Sequence, residues 1–328
     1  MSEYRITFRD ICLCSMCLLV SILGTCLLAE EPKADVVVVV GADGSEEFGR
    51  QFREWASRWE NAAKLGRANF LAIGLADSGE VTDREQLQKQ LALNAKAGAE
   101  PLWLVLIGHG TFDGKTARFN LRGPDVSAVE LADWLKPMER PVAIINCASS
   151  SGAFLNELSG PNRIVVTATK SGHEYNFSRF GDFLSSAIAD LQADLDKDEQ
   201  TSLLEAFLLA SARVREFYEA DGRLMTEHSL LDDNGDKLGT PTDWFQGVRA
   251  IKSAKTGAVD GLRAAQWHLV RSPREERLSV EARTRRNEIE EELAQLRKQK
   301  TTLGEAEYLT HIEPLMLELA RIYEQQDR

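Results

Sequence analysis

Hydrophobic and polar positions succeed one another along this chain in a repeating order. Residues 35–41 read DVVVVVG, a β-branched run closed by glycine, and predict a strand buried on both faces of a parallel sheet. Residues 45–65 follow with Phe48, Phe52, Trp55, Trp59 and Ala63 at steps of three and four, the stripe of an amphipathic helix. The succession then recurs. It predicts a strand over 69–75, a helix over 83–97 opened by Thr82, a strand over 102–107 and a short strand near 118–121. A helix over 127–135, strands over 142–146 and 163–169, and a helix over 180–195 complete it. Alternating strands and helices with short connections predict an α/β fold, a mostly parallel sheet sandwiched by helices.

From about Gly261 the strand signals stop. Ile289, Leu293, Leu296 and Leu303 follow helical steps, and Tyr308, Ile312, Leu315, Leu319 and Ile322 repeat at spacings of 4, 3, 4 and 3. The second set is a heptad stripe, and the break at residues 301–304 predicts a C-terminal helical hairpin of coiled-coil character. Pro314 predicts a kink or a delayed start in its second helix. The stripe serves either packing on the chain's own domain or self-association.

The N-terminus has a different composition. Arg5 and Arg9 precede an apolar run over 11–29, and Glu30-Glu31-Pro32 ends it. This pattern predicts a signal peptide or membrane anchor over residues 1–29 and an exported, periplasmic or extracellular, protein. The expected organisation is therefore 1–29, a catalytic α/β domain over 30–260, and the hairpin over 261–328. Net charge is −12 across 328 residues, with no basic stripe. Such a surface repels phosphate backbones and excludes nucleic acid as a partner.

Four of the five cysteines (Cys12, Cys14, Cys17 and Cys26) lie in the N-terminal segment, which leaves Cys147 alone in the remainder. A lone thiol forms no internal disulfide, so Cys147 is either a small buried hydrophobe or a nucleophile. Its position favours chemistry. In α/β sheets the ligand crevice lies beyond the carboxyl ends of the strands. Cys147 follows the apolar run 142–146, and His109 follows 102–107. A thiol attacks a carbonyl as thiolate, and a nearby imidazole favours that form and protonates the leaving amine. The tetrahedral oxyanion needs fixed N–H donors, which small residues leave accessible. Gly110 beside His109, and the Ala148 to Gly152 run after Cys147, meet that demand.

The two blocks, LVLIGHG at 104–110 and AIINCASSSG at 143–152, resemble the paired His-Gly and Ala-Cys blocks of caspase-fold cysteine peptidases, closest to the legumain branch. The segment EHSLLDDNGD at 227–236 is similar to one seen in bacterial members. The resemblance covers residues 36–244. It implies a cysteine-type endopeptidase that acts on protein or peptide substrates through a Cys147 thioester, needing no cofactor. His109 is then the general acid/base, and the N–H groups of Gly110 and Cys147 form the oxyanion hole. The chain departs from the legumain pattern at Asn146, where legumains carry Ala, and at Ala148, where they carry Glu; the Ser/Gly run is one residue longer. The other reading is a catalytically inactive caspase-fold module that acts as a scaffold through its C-terminal helices.

Acidic residues near the strand tips, Asp43, Asp113, Glu174 and Asp182, are candidates for binding a Lys, Arg or Asn side chain of a substrate. His173 also follows a strand and is a weaker candidate base, whereas His228, His268 and His311 read as structural or solvated. No His/Cys cluster has zinc-ligand spacing. Asp194, Asp196, Asp198, Gln200, Ser202 and Glu205 fall at the ligand positions of a twelve-residue calcium loop, but Glu199 stands where the sharp turn wants glycine. No metal is therefore expected, and the segment reads as an acidic linker capping the next helix.

Overall fold

The computed structural model describes residues 34–76, 79–96, 100–254 and 258–326. The expected signal peptide or anchor over 1–29 lies outside the described residues. Among those described, no helix is long and apolar enough to cross a membrane.

In chain order the elements are β1 (Asp35–Val40), α1 (Glu46–Leu65), β2 (Asn69–Ile73), α2 (Asp83–Asn94), β3 (Leu102–Ile107), β4 (Gly110–Phe112), β5 (Ala117–Phe119) and β6 (Val126–Ser127). Next come α3 (Ala128–Leu135), β7 (Val142–Asn146), α4 (Gly152–Leu158), β8 (Arg163–Thr167), α5 (Phe180–Ala187) and α6 (Leu203–Ala220). The chain continues through β9 (Leu230–Asp232), β10 (Thr240–Pro241), β11 (Phe245–Gln246), β12 (Arg249–Ala250), α7 (Leu262–Ala265), α8 (Pro273–Arg277), α9 (Val280–Gln299) and α10 (Glu305–Gln326).

A seven-stranded sheet in the order β10-β9-β8-β7-β3-β1-β2 carries the fold. Its strands β2, β1, β3, β7 and β8 run parallel, while β9 and β10 add antiparallel pairings at one edge. The α/β fold expected from the alternation is thus present. Strand side chains alternate between faces. Val36, Val38, Val40, Trp103, Val105, Ile107, Ala143 and Ile145 are buried with α1, α5 and α6 residues, and Val37, Val39, Leu104, Leu106, Val142 and Ile144 with α2, α3 and α4 residues. Both faces are covered, which is why the strands read as unbroken apolar runs.

The helices start where the sequence supplies a cap. Thr82, Ser127 and Ser202 each accept from the backbone N–H three residues on, and Glu85, Glu130 and Glu205 return the bond to the cap's own N–H. These reciprocal boxes satisfy donors that a helix start leaves free.

The C-terminal helices α9 and α10 pack on each other as the heptad spacing predicts. Ile312, Leu315, Leu319 and Ile322 sit against Leu278, Ile289 and Leu293, so this stripe is packed within the chain. Helix α10 runs continuously through Pro314.

The expected boundary at Gly261 needs correction. Ala264 and Leu269 are buried in the core beneath α1 and α6, and Trp267 packs edge-on to Trp103 at 5.6 Å between ring centres. Leu203 donates its N–H to the Trp267 carbonyl, and Arg271 pairs with the buried Glu100 at 2.8 Å. Residues 261–278 therefore belong to the α/β body, and the hairpin after Ser279 is joined to it by polar pairs, Gln266 with Glu290 at 2.7 Å and Arg286 with Glu275 at 2.5 Å. Local hydrophobic period misses this because the attachment uses a few anchor side chains and polar bonds.

Candidate functional site

The sheet order brings β3 and β7 side by side, in parallel register with Leu106 opposite Asn146. His109 and Cys147 accordingly follow the tips of adjacent strands. Cys147 shares the α1, α5 and α6 core with Ala143 and Ile145. The His109 ring lies on that side too, edge-on to Phe48 and Phe52 of α1 at 5.1 and 5.2 Å between ring centres. The sequence expectation that both groups share one end of the sheet is met.

Their surroundings engage each group within the fold. The Cys147 residue is 1% exposed. Helix α5 seals it: a Cβ added to Gly181 would stand 2.8 Å from the Cys147 Cβ and 2.8 Å from the Trp55 ring, so only glycine allows this closeness. Among the described residues the thiol makes no hydrogen bond with His109 or with any other group. Burial, and secondarily the carboxylate of Glu227, push the thiol pKa well above its ordinary value. A thiolate is thereby disfavoured, the opposite of what a nucleophile needs.

The imidazole is also engaged elsewhere. Its Nε2 lies 3.3 Å from the Asp43 carbonyl oxygen. A carbonyl oxygen can only accept, so Nε2 is the donor of this bond. The ring is ringed by Phe48, Phe52 and Phe177, the last at 6.0 Å.

The implied oxyanion hole is likewise occupied by the chain itself. Cys147 donates its N–H to the Leu106 carbonyl at 2.9 Å, continuing the ladder between β3 and β7. Gly110 donates its N–H to Ser149 Oγ at 3.2 Å, and that hydroxyl donates back to the Gly110 carbonyl at 3.1 Å. Ser149 and Ser150 are buried, and Ser150 holds a left-handed φ of 57°. Its hydroxyl and the Asn146 side-chain amide nitrogen are buried without a hydrogen-bond partner. The small-residue run that promised access for a substrate is instead packed into the fold.

The acidic candidates for substrate binding each have partners within the chain. Asp43 pairs with Arg53 at 3.3 Å, and Asp182 with Arg58 at 2.5 Å. Glu174 takes the His228 Nδ1 at 2.5 Å and the N–H groups of Lys170 and His228. Asp113 accepts from Arg118 and from the Lys115 and Thr116 N–H groups, which hold its carboxyl down to about 2. A carboxylate already matched to a cation and backbone donors offers little to a substrate cation. His173 is exposed and stands edge-on to Phe112.

Sequence reasoning missed Glu227. This buried carboxylate accepts from Ser178 Oγ at 2.6 Å, from the N–H groups of Arg179 and Phe180, and from the Tyr218 hydroxyl at 3.2 Å. It holds the start of α5, the helix that seals Cys147, and its pKa is raised by burial. The only sequence signal was its place in the EHSLLDDNGD segment.

The acidic turn before α6 is compact. Asp194 accepts from the N–H groups of Lys197, Asp198 and Glu199, and Glu205 Oε1 from those of Leu195 and Asp196. Burial, with Asp198, Glu205 and Asp194 close by, raises Asp196 to about 6.

No family model and no curated protein matches the chain. Among solved structures, the initiator caspase Dronc of Drosophila is similar, with a TM-score of 0.42 and 15% identity over 72% of this chain and 89% of that one.

Proposed function

We propose that this protein is a caspase-fold module without peptidase turnover, whose strand-tip crevice is closed by its own groups. One observation carries this reading: both N–H groups that the family resemblance assigns to the oxyanion hole already donate within the chain, to Leu106 and to Ser149. Stabilising a tetrahedral oxyanion would require breaking those bonds, and each broken buried bond costs about 1–3 kcal/mol. The module then works by binding. The outer side of α10 supports this, since Leu309 and Met316 stand seven residues apart and are exposed.

The second reading is a cysteine-type endopeptidase of the legumain type, with Cys147 as nucleophile and His109 as general acid/base. It is favoured by their placement on one side of the sheet at the ends of neighbouring strands. It requires α5 and the Phe177 segment to move away first.

Alkylation separates the two. Under the first reading, Cys147 reacts with iodoacetamide only at the rate of unfolding, between about pH 6 and pH 9, and quickly in denaturant. Cys147→Ala leaves stability within about 1–2 kcal/mol, because a small residue replaces a small one. Rapid native alkylation near pH 6 that is lost in His109→Ala, together with cleavage of a peptide library abolished by Cys147→Ala, would establish the peptidase instead.

A further inference from the structure

Strand β2 forms one edge of the seven-stranded sheet, and it carries none of the residues that usually protect such an edge. Its sequence, NFLAI over 69–73, has no charge and no proline. The opposite edge differs: β10 is two residues long and ends in Pro241, which has no N–H to offer. The bonding pattern fixes which groups β2 leaves open. Asn69 donates its N–H to the Ala34 carbonyl at 2.9 Å, so Asn69, Leu71 and Ile73 turn their backbone groups toward β1. Phe70 and Ala72 turn theirs away from the sheet. Among the described residues, neither the N–H nor the C=O of either has a partner.

These open groups are self-complementary. In an antiparallel pair, residues that face each other exchange both bonds, and the residues between such pairs meet without bonding. A second β2 laid antiparallel, with Leu71 opposite Leu71, places Phe70 of each copy against Ala72 of the other. Every outward N–H and C=O of these residues is then used, symmetrically about a two-fold axis. The side chains agree with this register. Leu71, at the axis, is exposed on the edge strand, and Leu65 and Leu75, on either side of it, are exposed too. Charge sets the direction. Arg67 precedes the strand and Glu80 follows it, both exposed, so antiparallel order turns opposite charges toward each other while parallel order aligns like with like.

We propose that the β2 edge is a self-association surface, on which a second copy of this chain adds its own β2 antiparallel about Leu71 and joins two sheets into one. The inference does not depend on how the Cys147 and His109 crevice is read, because β1 separates β2 from β3 and β7. The contact is a short row of backbone bonds with a few leucines. It therefore belongs with weak, concentration-dependent dimers rather than obligate ones.

Sedimentation velocity of the full chain from about 1 to 500 μM should show the average mass rising from monomer toward dimer. Ala72→Pro deletes an N–H that points away from β1, so the fold should keep its Tm within about 4 °C while dimerisation weakens about tenfold or more. Leu71→Lys sets like charges face to face at the axis without touching the backbone, and should weaken it similarly. Crosslinking reads the register. Unbonded antiparallel pairs stand about 4.5 Å apart at Cα, within disulfide reach, so on mild oxidation Leu71→Cys should form a covalent dimer about tenfold or more faster than Ala72→Cys. A monomer at every concentration would overturn the self-pairing and leave the edge to a strand from another protein. Association unchanged in both Ala72→Pro and Leu71→Lys, or equal crosslinking by the two cysteine variants, would overturn it as well. If Ala72→Pro melts much lower, Leu71→Lys and the crosslinking decide.

Discussion

Ending the chain before Gly261 is expected to unfold the α/β body, whereas ending it after Leu278 leaves a cooperatively melting protein. The first cut removes the partners of a buried carboxylate: Asp233, 2% exposed, accepts the N–H groups of Gly261 and Ala264 at 3.0 and 2.9 Å. Asp260, which accepts from the Asp233 N–H and from Thr240 Oγ1 at 2.6 Å and so ties β9 and β10 to the start of α7, becomes the last residue of the shortened chain. Leu269 and Ala264 leave the core beneath α1 and α6, and Trp103 loses its Trp267 neighbour. Loss of the buried Leu269 side chain alone costs about 2–5 kcal/mol, and stranding a buried polar or charged group about 1–3 kcal/mol or more. Together these rival the whole stability of a typical domain, about 5–15 kcal/mol. The second cut removes both helices of a separate small core and opens Glu275, partner of Arg286 at 2.5 Å, to water rather than stranding it. Its cost should stay near 3 kcal/mol or below. Circular dichroism melts of both truncations decide the matter. A sharp melt for the shorter chain would restore the boundary at Gly261.

A second large effect is expected from pH. Asp233 and Asp260 are both buried at the junction of β9, β10 and α7, and burial raises the pKa of each. Asp260 is pushed up to about 8, first by burial and then by the nearby Asp233 charge. One proton on Asp260, donated to Asp233, lets the two carboxyls coexist. A folded-state pKa above the unfolded value means the folded chain holds this proton more tightly. The stability it contributes is complete below about pH 4 and is lost as pH rises through 8. Glu130, held down to about 2 mainly by Arg84, has the opposite sign and acts below that window. Asp260→Asn keeps the shape, supplies a permanent donor and cannot titrate. Relative to it, the wild-type chain should lose about 2–4 kcal/mol of unfolding free energy between about pH 5 and pH 8. Urea melts of the two proteins at both pH values measure this. Parallel losses would mean the pair does not share a proton.

Seen from these two junctions, the limits of the sequence have physical causes. The strands 35–41, 102–107 and 142–146 were legible because sheets covered on both faces demand continuous β-branched and aliphatic runs. Helix starts at Ser45, Thr82 and Ser202 were legible because capping is local chemistry. Ends were less so: the strand expected over 69–75 stops at Ile73, and the helix expected over 180–195 stops at Ala187, followed by a short turn of 3₁₀ helix at Leu191–Ala193. Short edge strands such as β9 and β10 carry too few residues to show a period.

By itself the sequence determined the class of fold, the C-terminal helical pair, and the placing of His109 and Cys147 just beyond two apolar strands. Only the tertiary structure decided which strands are neighbours, that α5 lays Gly181 over the thiol, and that Leu106 and Ser149 take the N–H groups reserved for an oxyanion. Strand and helix patterns are written in neighbouring residues, which interact over one turn or one pleat. Burial, pairing and pKa depend on groups that folding brings together from far along the chain, such as Glu227 at the start of α5 and His268 against Asp198.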